Sequence, residues 1–325
     1  RDSLQGVSFA TGIDFTFGGG RMLTPGERIL VVRNAGAFQS RYGSGRPIAG
    51  VFASGTGLAD SGETIKLDDA TGSTILEFTY DDGQDWPDRA DGPGSSLVVH
   101  DAALFDMDAD FNAAENWRAS TAFGGTPGAA AVSTIDVIVN EILAHADVDA
   151  IELYNTSGQQ VDLAGWWLSD TADDYFKYQF SPGSTLGPGG YLLLDENDFN
   201  PGGGGNPTDF ALSAAGDEVW LLAADAVGKP IRFADTVSFD ATLPGVSLGR
   251  VPNGDPSHDL FPLTNVSLGG PNDAHQPGAV IISEVHYHPA APPLGSPISE
   301  LQLEFVELYN RSGATVDLSG WRLRG

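Results

Sequence analysis

The chain of 325 residues contains no cysteine and has few basic residues. Without cysteine, it can form no disulfide bond, no thiolate metal site and no cysteine nucleophile. Lys and Arg number 16 against 44 Asp and Glu, which leaves a net charge of −28. Because this charge would repel phosphate groups, we expect no nucleic-acid partner. No stretch is apolar for long enough to form a transmembrane helix, so we expect no membrane insertion.

Helix-forming charged residues are also scarce. The chain has 12 Glu and 3 Lys, whereas Asp, which prefers turns and helix caps, occurs 32 times. Gly 42 and Pro 20 add further turn-forming residues, while hydrophobic residues still make up 41%. This composition predicts a folded, turn-rich protein with little helix.

Short motifs recur along the chain. Asn-Glu-Ile at 140–142 returns as Ser-Glu-Val at 283–285, and Glu-Leu-Tyr-Asn at 152–155 returns at 307–310. Val-Asp-Leu-Ala-Gly-Trp at 161–166 returns as Val-Asp-Leu-Ser-Gly-Trp at 316–321, with a weaker copy at 4–7. Leu-x-Pro-Gly occurs at 23–26 and 186–189, and Pro-Gly-x-Ser-Leu at 93–97 and 244–248. Such self-similarity predicts a tandem array.

The order of these motifs divides the chain into three units. We expect a first unit at 1–130 that lacks its opening strands, a complete second unit at 131–278, and the opening strands of a third at 279–325. We also expect the chain to be a piece of a longer protein, because it starts at Arg1 and shows no signal peptide.

Each unit is predicted to be β-structured. The apolar runs are short, rich in Val, Ile, Leu and aromatic residues, and bounded by Gly, Pro, Asp and Asn. The turn-forming stretches 68–72 and 224–228 separate paired runs, as hairpin loops do, and 35–42 is expected to form one or two helical turns. The predicted fold is all-β, with tandem antiparallel, immunoglobulin-like sandwiches, one complete and two partial.

The chain resembles the lamin-tail domain, and in particular its tandem form in secreted bacterial proteins. The resemblance is carried by the order of the motifs at 140–142, 152–155, 161–166 and 186–191. The segments 116–120 and 124–128 are similar to the end of such units. The resemblance implies immunoglobulin-like sandwiches used for adhesion, anchoring or assembly, outside the cell or at a bacterial cell surface. It brings no agreed catalytic residues.

Several motif residues have structural interpretations. Trp166 and Trp321 are expected to fill a sandwich core. Asn155 and Asn310 suit turns in which the side-chain amide caps the backbone. Glu152, like its counterpart Glu307, is expected to be exposed or paired with an arginine.

Asp106, Asp108 and Asp110 are the candidate metal ligands, and calcium is the candidate ion. Alternating carboxylates supply the closely spaced oxygens that a hard cation binds. However, Phe111 stands where a calcium loop has glycine, and Trp117 where it has the bidentate Glu. A solvated acidic loop is the alternative.

Two other patterns could indicate a metal site or a nucleophile, but each lacks a ligand or a backbone turn that such a site needs. His286 and His288 would share one face of a strand, but no third ligand is placed by the sequence. Gly-x-Ser-x-Gly at 245–249 needs a strand-to-helix turn in a parallel sheet, which an antiparallel fold does not offer. We therefore expect no enzymatic activity.

Two functions remain open. The first is a structural protein that assembles with itself, head to tail, through split domains into a fibre, stalk or surface layer. This expectation arises because the chain begins and ends at the same place in the repeat; a proteolytic boundary is the alternative. The second function is a calcium- or carbohydrate-dependent binding module of a larger secreted enzyme, with cell-surface polysaccharide as its ligand.

Overall fold

The structure is a computed structural model that describes residues 3–83, 85–100, 111–130, 136–251, 260–276, 278–293, 295–319 and 321. Strands predominate throughout this part of the chain. The α-helices described are α1 (Ala35–Tyr42) and α2 (Glu196–Phe199), and single 3-10 turns lie at Asp88–Ala90, Ala114–Asn116 and Glu300–Leu303. In the described residues, no helix has the length and apolar character needed to cross a bilayer. The predicted β-rich character and the short helix at 35–42 are confirmed.

The strands of the first unit form one four-stranded sheet and two separate pairs. They are β1 (Ser8–Thr11), β2 (Phe15–Thr16), β3 (Leu30–Val32), β4 (Ile48–Val51), β5 (Glu63–Asp68), β6 (Thr74–Tyr80), β7 (Leu97–Val99) and β8 (Trp117–Ala119). One sheet has the order β2-β1-β5-β6, and β7 pairs with β8. Strands β3 and β4 run parallel, which departs from the antiparallel pattern expected from the sequence.

The strands of the second unit form two larger sheets. They are β9 (Val137–Leu143), β10 (Ala150–Asn155), β11 (Val161–Asp162), β12 (Trp167–Ser169), β13 (Tyr178–Gln179), β14 (Thr185–Leu186), β15 (Tyr191–Asp195), β16 (Gly216–Ala224), β17 (Pro230–Asp240), β18 (Leu248–Arg250) and β19 (Leu260–Pro262). A five-stranded sheet has the order β15-β10-β9-β18-β19, and a four-stranded sheet the order β13-β12-β16-β17. All their pairings are antiparallel.

These two sheets share one buried core. Val139 and Ile151 of the five-stranded sheet pack in the same cluster as Leu168, Val219 and Leu221 of the four-stranded sheet. Burial of this much aliphatic surface is the main stabilising contribution to such a layered fold.

Trp166 belongs to the same core cluster, as expected. Trp321, in contrast, is 59% exposed. The prediction for Trp321 is wrong in this chain, because the described residues of the third unit form one hairpin and no facing sheet. That hairpin consists of β20 (Val280–His286) and β21 (Phe305–Asn310).

The first and second units meet at the edge of β17. The amide of Phe123 donates to the carbonyl of Ile231 at 2.9 Å. The amide of Phe233 donates to the carbonyl of Thr121 at 2.8 Å. The Phe123 and Phe233 rings lie 5.5 Å apart, and the Tyr175 hydroxyl donates to the carbonyl of Pro93 at 2.8 Å. Backbone pairing and aromatic contacts therefore join the two units.

Candidate functional site

One hairpin is built twice in the chain, in the same register. Glu141 of β9 lies opposite Glu152 of β10. Glu284 of β20 lies opposite Glu307 of β21 in the same way. The repeat predicted from the sequence motifs is thus also a repeat of strand pairing at this hairpin.

The two hairpins share a bulge and a closing turn. Each pairing skips one residue before the first glutamate, Asn140 in β9 and Ser283 in β20, as a β-bulge does. After each second strand, an asparagine accepts a hydrogen bond at 2.9 Å from the backbone of a serine two residues on, Asn155 from Ser157 and Asn310 from Ser312. The predicted capping role of both asparagines is confirmed.

In the second unit, both glutamates are completely buried, with exposures of 0%. The two oxygens of Glu141 accept hydrogen bonds from the amide and the hydroxyl of Ser267 at 2.9 and 2.7 Å. One oxygen of Glu152 accepts from Asn140 Nδ2 at 2.7 Å, and the other accepts from the Gly269 amide. All four carboxylate oxygens are therefore satisfied within the protein, as buried charged groups require.

Two asparagines, Asn140 and Asn272, attach the far end of the segment that begins at Ser267. Asn140 Nδ2 donates to Asn272 Oδ1 at 2.7 Å, and Asn272 Nδ2 donates to the carbonyl of Arg250 at 2.8 Å. Residues 267–272, which we name the covering segment, thus bond to β9, β10 and β18. The covering segment closes the face of the sheet that lies away from the core.

A buried ion pair lies beside this cluster. Arg250 Nη2 contacts Asp235 Oδ2 at 2.6 Å, and the amide of Val139 donates to the same oxygen at 2.7 Å. Arg250 Nε also donates to the carbonyl of Val139 at 2.6 Å. The pair links the two sheets through β9, β17 and β18.

The surroundings of Glu152 and Asp235 raise the pKa of both carboxyl groups. Burial raises the pKa of Glu152 above its usual value, the hydrogen bonds from Asn140 and Gly269 lower it in part, and the charge of Glu141 raises it again. Burial likewise raises the pKa of Asp235, which the charge of Arg250 counteracts. Both carboxylates are therefore harder to keep ionised than in an unfolded chain.

This arrangement is suited to holding the fold closed. Paired carboxylates can act in general acid–base catalysis only when a reacting group comes within hydrogen-bond reach. Here the oxygens of Glu141 and Glu152 are occupied by protein donors, and neither residue has exposed surface. Their hydrogen bonds therefore attach the covering segment to the hairpin.

The comparisons with known proteins agree with the repeated hairpin. Residues 130–238 and 273–325 match the Lamin Tail Domain. Each of these matches contains one copy of the glutamate hairpin. The resemblance expected from the motifs is thereby confirmed for these residues, and the antiparallel sheets are consistent with the immunoglobulin-like fold of the Lamin Tail Domain. No curated protein matches the chain.

In the second stretch that matches the Lamin Tail Domain, the hairpin has no covering segment among the described residues. Glu307 and Glu284 are exposed, and Glu307 accepts a hydrogen bond from the Ser283 hydroxyl at 2.5 Å. Ile282 and Val285 are exposed as well. Their counterparts in β9, Val139 and Ile142, are completely buried.

The metal ligands predicted from the sequence, Asp106, Asp108 and Asp110, lie outside the described residues. Within the part of the chain that the structure describes, no group of three or more His, Asp or Glu side chains is arranged to hold a metal ion.

The histidine pair does not share a strand face. Strand β20 ends at His286, whose ring stacks on Phe305 with centroids 5.5 Å apart. His288 lies beyond the strand and contacts Glu300 at 3.0 Å. Expecting both side chains on one strand face was wrong, because the strand stops between them.

Ser247 of the Gly-x-Ser-x-Gly pattern is completely buried and precedes the antiparallel strand β18. The strand-to-helix turn that a nucleophilic serine requires is therefore not formed there.

The expectation for Glu152, exposed or paired with an arginine, was wrong. It is buried and accepts hydrogen bonds from Asn140 and Gly269. The motif could not have revealed this burial, because Glu307 lies in the same Glu-Leu-Tyr-Asn sequence and is exposed.

Proposed function

We propose that the chain is a non-catalytic structural repeat protein whose copies assemble head to tail into a fibre, stalk or surface layer. Its proposed units are lamin-tail-like, immunoglobulin-like sandwiches at 1–130, 131–278 and 279–325, of which the middle one is complete. The proposal places the protein outside the cell, at a bacterial surface. The support for this location is the likeness of its motifs to tandem secreted domains.

The observation that carries the proposal is the hairpin built twice. In the second unit, the hairpin β9–β10 is buried on both faces, by the core and by the covering segment. The same hairpin in the third unit, β20–β21, exposes both its apolar and its acidic side chains. The shared register of the two hairpins supports a chain built by repetition of one unit, as structural repeat proteins are.

The chemistry of the acid pair supports a structural role. Glu141 and Glu152 use their hydrogen-bonding capacity to close the unit, and no reacting group can approach them without displacing the covering segment.

The test is the state of association of the 325-residue chain in solution. Sedimentation velocity over a range of concentrations should show species growing beyond a dimer, and electron microscopy should show linear assemblies. A folded monomer that persists at the highest concentration would overturn the proposal.

A binding module is the second candidate. Phe78, Tyr80, Trp86 and Trp117 line an open cleft of about 420 Å³, with Asp81 and Asp82 also in its lining. Aromatic side chains in a cleft are typical of ligand sites. Titration calorimetry with soluble polysaccharides, with and without calcium, tests this candidate; heat of binding that Trp86→Ala removes would favour it over the structural proposal.

A further inference from the structure

We infer that an arginine-rich surface around helix α1, in the first unit, binds an acidic surface around helix α2, in the second unit of another copy of this chain. This inference rests on the proposed assembly function and names the two surfaces that meet.

The two helices occupy equivalent places in their units. Each follows the strand that comes after a Leu-x-Pro-Gly motif, β3 in the first unit and β15 in the second. Asn34 caps α1 by accepting from the amide of Ala37 at 2.9 Å, and Asp195 caps α2 by accepting from the amide of Asn197 at 2.8 Å. In the second unit, Asn197 and Asp198 are exposed although both sheets are present. This place in the repeat is therefore a surface position in a unit that has both sheets.

The two helices lie in regions of opposite charge. The segment 15–59, which contains α1, has five arginines and one acidic residue, Glu27. The second unit, which contains α2, has 21 acidic and four basic residues and thus a net charge of −17. The region around α1 is therefore positive in a chain whose net charge is −28.

Three exposed arginines flank α1, and we name them the arginine surface. Arg33 precedes the capping residue, Arg41 lies in the last turn of the helix, and Arg46 follows it. Arg46 Nη1 donates to the carbonyl of Pro127 at 3.1 Å, and the Arg41 guanidinium lies 5.6 Å from the centre of the Phe123 ring. Within the described residues, none of the three arginines forms an ion pair. Their guanidinium groups can therefore bind carboxylates of a partner.

Four acidic residues lie where α2 meets the tip of the β9–β10 hairpin, and we name them the acidic surface: Asp147, Asp149, Glu196 and Asp198. The amide of Glu196 donates to the carbonyl of Asp149 at 2.9 Å, which places the start of α2 beside the tip. Burial raises the pKa of Asp149, and the charge of Glu196 raises it further. Asp147 and Asp198 are exposed. Guanidinium groups from a partner would relieve the repulsion among these carboxylates.

Pairing of these two surfaces gives a head-to-tail contact. Each copy has its arginine surface on one unit and its acidic surface on another, so two copies meet through unlike surfaces. A contact of this kind can be repeated from copy to copy along a linear assembly. Contact between two acidic second units is disfavoured by their like charges, so the electrostatic interaction also selects the orientation of the copies.

Charge reversal tests the contact. The test variant is Arg33→Glu/Arg41→Glu. The matched control, Lys229→Glu/Arg311→Glu, changes the net charge by the same amount at two exposed positions outside the arginine surface. Circular dichroism checks that both variants are folded. In sedimentation velocity, the apparent Kd for association should rise about tenfold or more in the test variant and less than about threefold in the control.

A mixing experiment tests whether the acidic surface is the partner. Asp147→Arg/Asp198→Arg should also associate more weakly with itself than the natural chain does. When it is mixed in equal amounts with Arg33→Glu/Arg41→Glu, the new glutamates of one variant can meet the new arginines of the other. We therefore expect association in the mixture to exceed that of either variant alone. A mixture that associates no better than its components would refute the acidic surface as the partner.

The remaining outcomes separate this contact from the assembly function. A test variant that associates as strongly as the natural chain would refute the contact and leave the assembly function standing. A natural chain that stays monomeric at every concentration would overturn both. Polygalacturonate serves as an anionic polysaccharide probe. If the natural chain binds it without self-association, and the test variant does not, a polysaccharide and not a second copy occupies the arginine surface.

Discussion

Glu141 and Glu152 face each other across β9 and β10 with no exposed surface. Like charges directly opposite one another destabilise a sheet, and burial of a carboxylate adds a further cost. The covering segment offsets both costs through the hydrogen bonds of Ser267 and Gly269. The pair therefore makes the closed unit depend on a segment that follows more than a hundred residues later in the chain.

Removal of the buried acid should destabilise the second unit. Glu152→Ala leaves the Gly269 amide without its acceptor, so we expect a loss of about 1–3 kcal/mol in the free energy of unfolding. The matched control is Glu307→Ala, the exposed counterpart, which should change it by less than about 0.5 kcal/mol. Urea unfolding followed by circular dichroism measures both. Equal losses in the two variants would show that burial of Glu152 has no energetic importance.

The raised pKa of Glu152 predicts a pH dependence of stability. Its pKa is raised above that of the unfolded chain, about 4.3, so the folded state takes up the proton first as the pH falls. The contribution of Glu152 to stability is therefore smallest at neutral pH, grows as the pH falls through the folded-state pKa, and becomes constant below the unfolded one. Asp235 acts in the same direction.

The measurement compares the natural chain with Glu152→Gln at pH 7 and at about pH 4, just below the unfolded-state pKa of about 4.3. The free energy of unfolding of the natural chain should rise relative to that of the variant as the pH is lowered. A difference that stays constant between the two pH values would mean that Glu152 does not titrate as its burial requires.

Local patterns predicted much of the fold but not the site. Hairpin turns, the strands of each repeat and the caps at Asn155 and Asn310 follow from residues close together in sequence, and these predictions are confirmed. The burial of Glu152 does not follow from its neighbours. Successive side chains on a strand point to opposite faces, so Glu152 points away from the face on which Ile151 and Leu153 enter the core. This alternation predicts that Glu152 is exposed. The covering segment reverses this outcome, and no local pattern indicates which loop covers a sheet.

The buried ion pair should be sensitive to loss of one partner. Asp235→Ala removes the buried carboxylate that contacts Arg250 Nη2 at 2.6 Å and accepts from the Val139 amide at 2.7 Å, so we expect a loss of about 3–5 kcal/mol in stability. Glu77→Ala is the control, because the Glu77 side chain is 51% exposed and its pair with Lys66 should contribute only about 0–1 kcal/mol. The denaturant midpoints of the two variants, compared with that of the natural chain, measure both losses of stability. A small effect of Asp235→Ala would indicate that water or another acceptor replaces the carboxylate.

The glycine that precedes the tryptophan of the Val-Asp-Leu-Ala-Gly-Trp motif, and its counterpart in the weaker copy at 4–7, have a defined structural role. Gly165 has a φ of +82°, a conformation that side chains with a Cβ rarely adopt. A Cβ at this position would meet the carbonyl oxygen of Asp225, in the β16–β17 loop, at 2.2 Å. Gly6 has a φ of +80°, and its Cβ would meet Ala70 in the β5–β6 loop at 2.8 Å. In both units, the turn that contains this glycine, just before β12 or β1, thus packs directly against a hairpin loop.

Gly165→Ala is therefore expected to lower the free energy of unfolding by about 2–4 kcal/mol, since it combines a strained backbone with a steric clash. Gly158→Ala is the matched control in the same unit, because its φ is not positive and a Cβ there would meet open space. The control should be neutral or stabilising by up to about 1 kcal/mol. Thermal unfolding of both variants separates the two effects, and a Gly165→Ala protein as stable as the control would mean that the β16–β17 loop can move away without cost. Such mobility would be incompatible with the close packing seen at both copies of this turn.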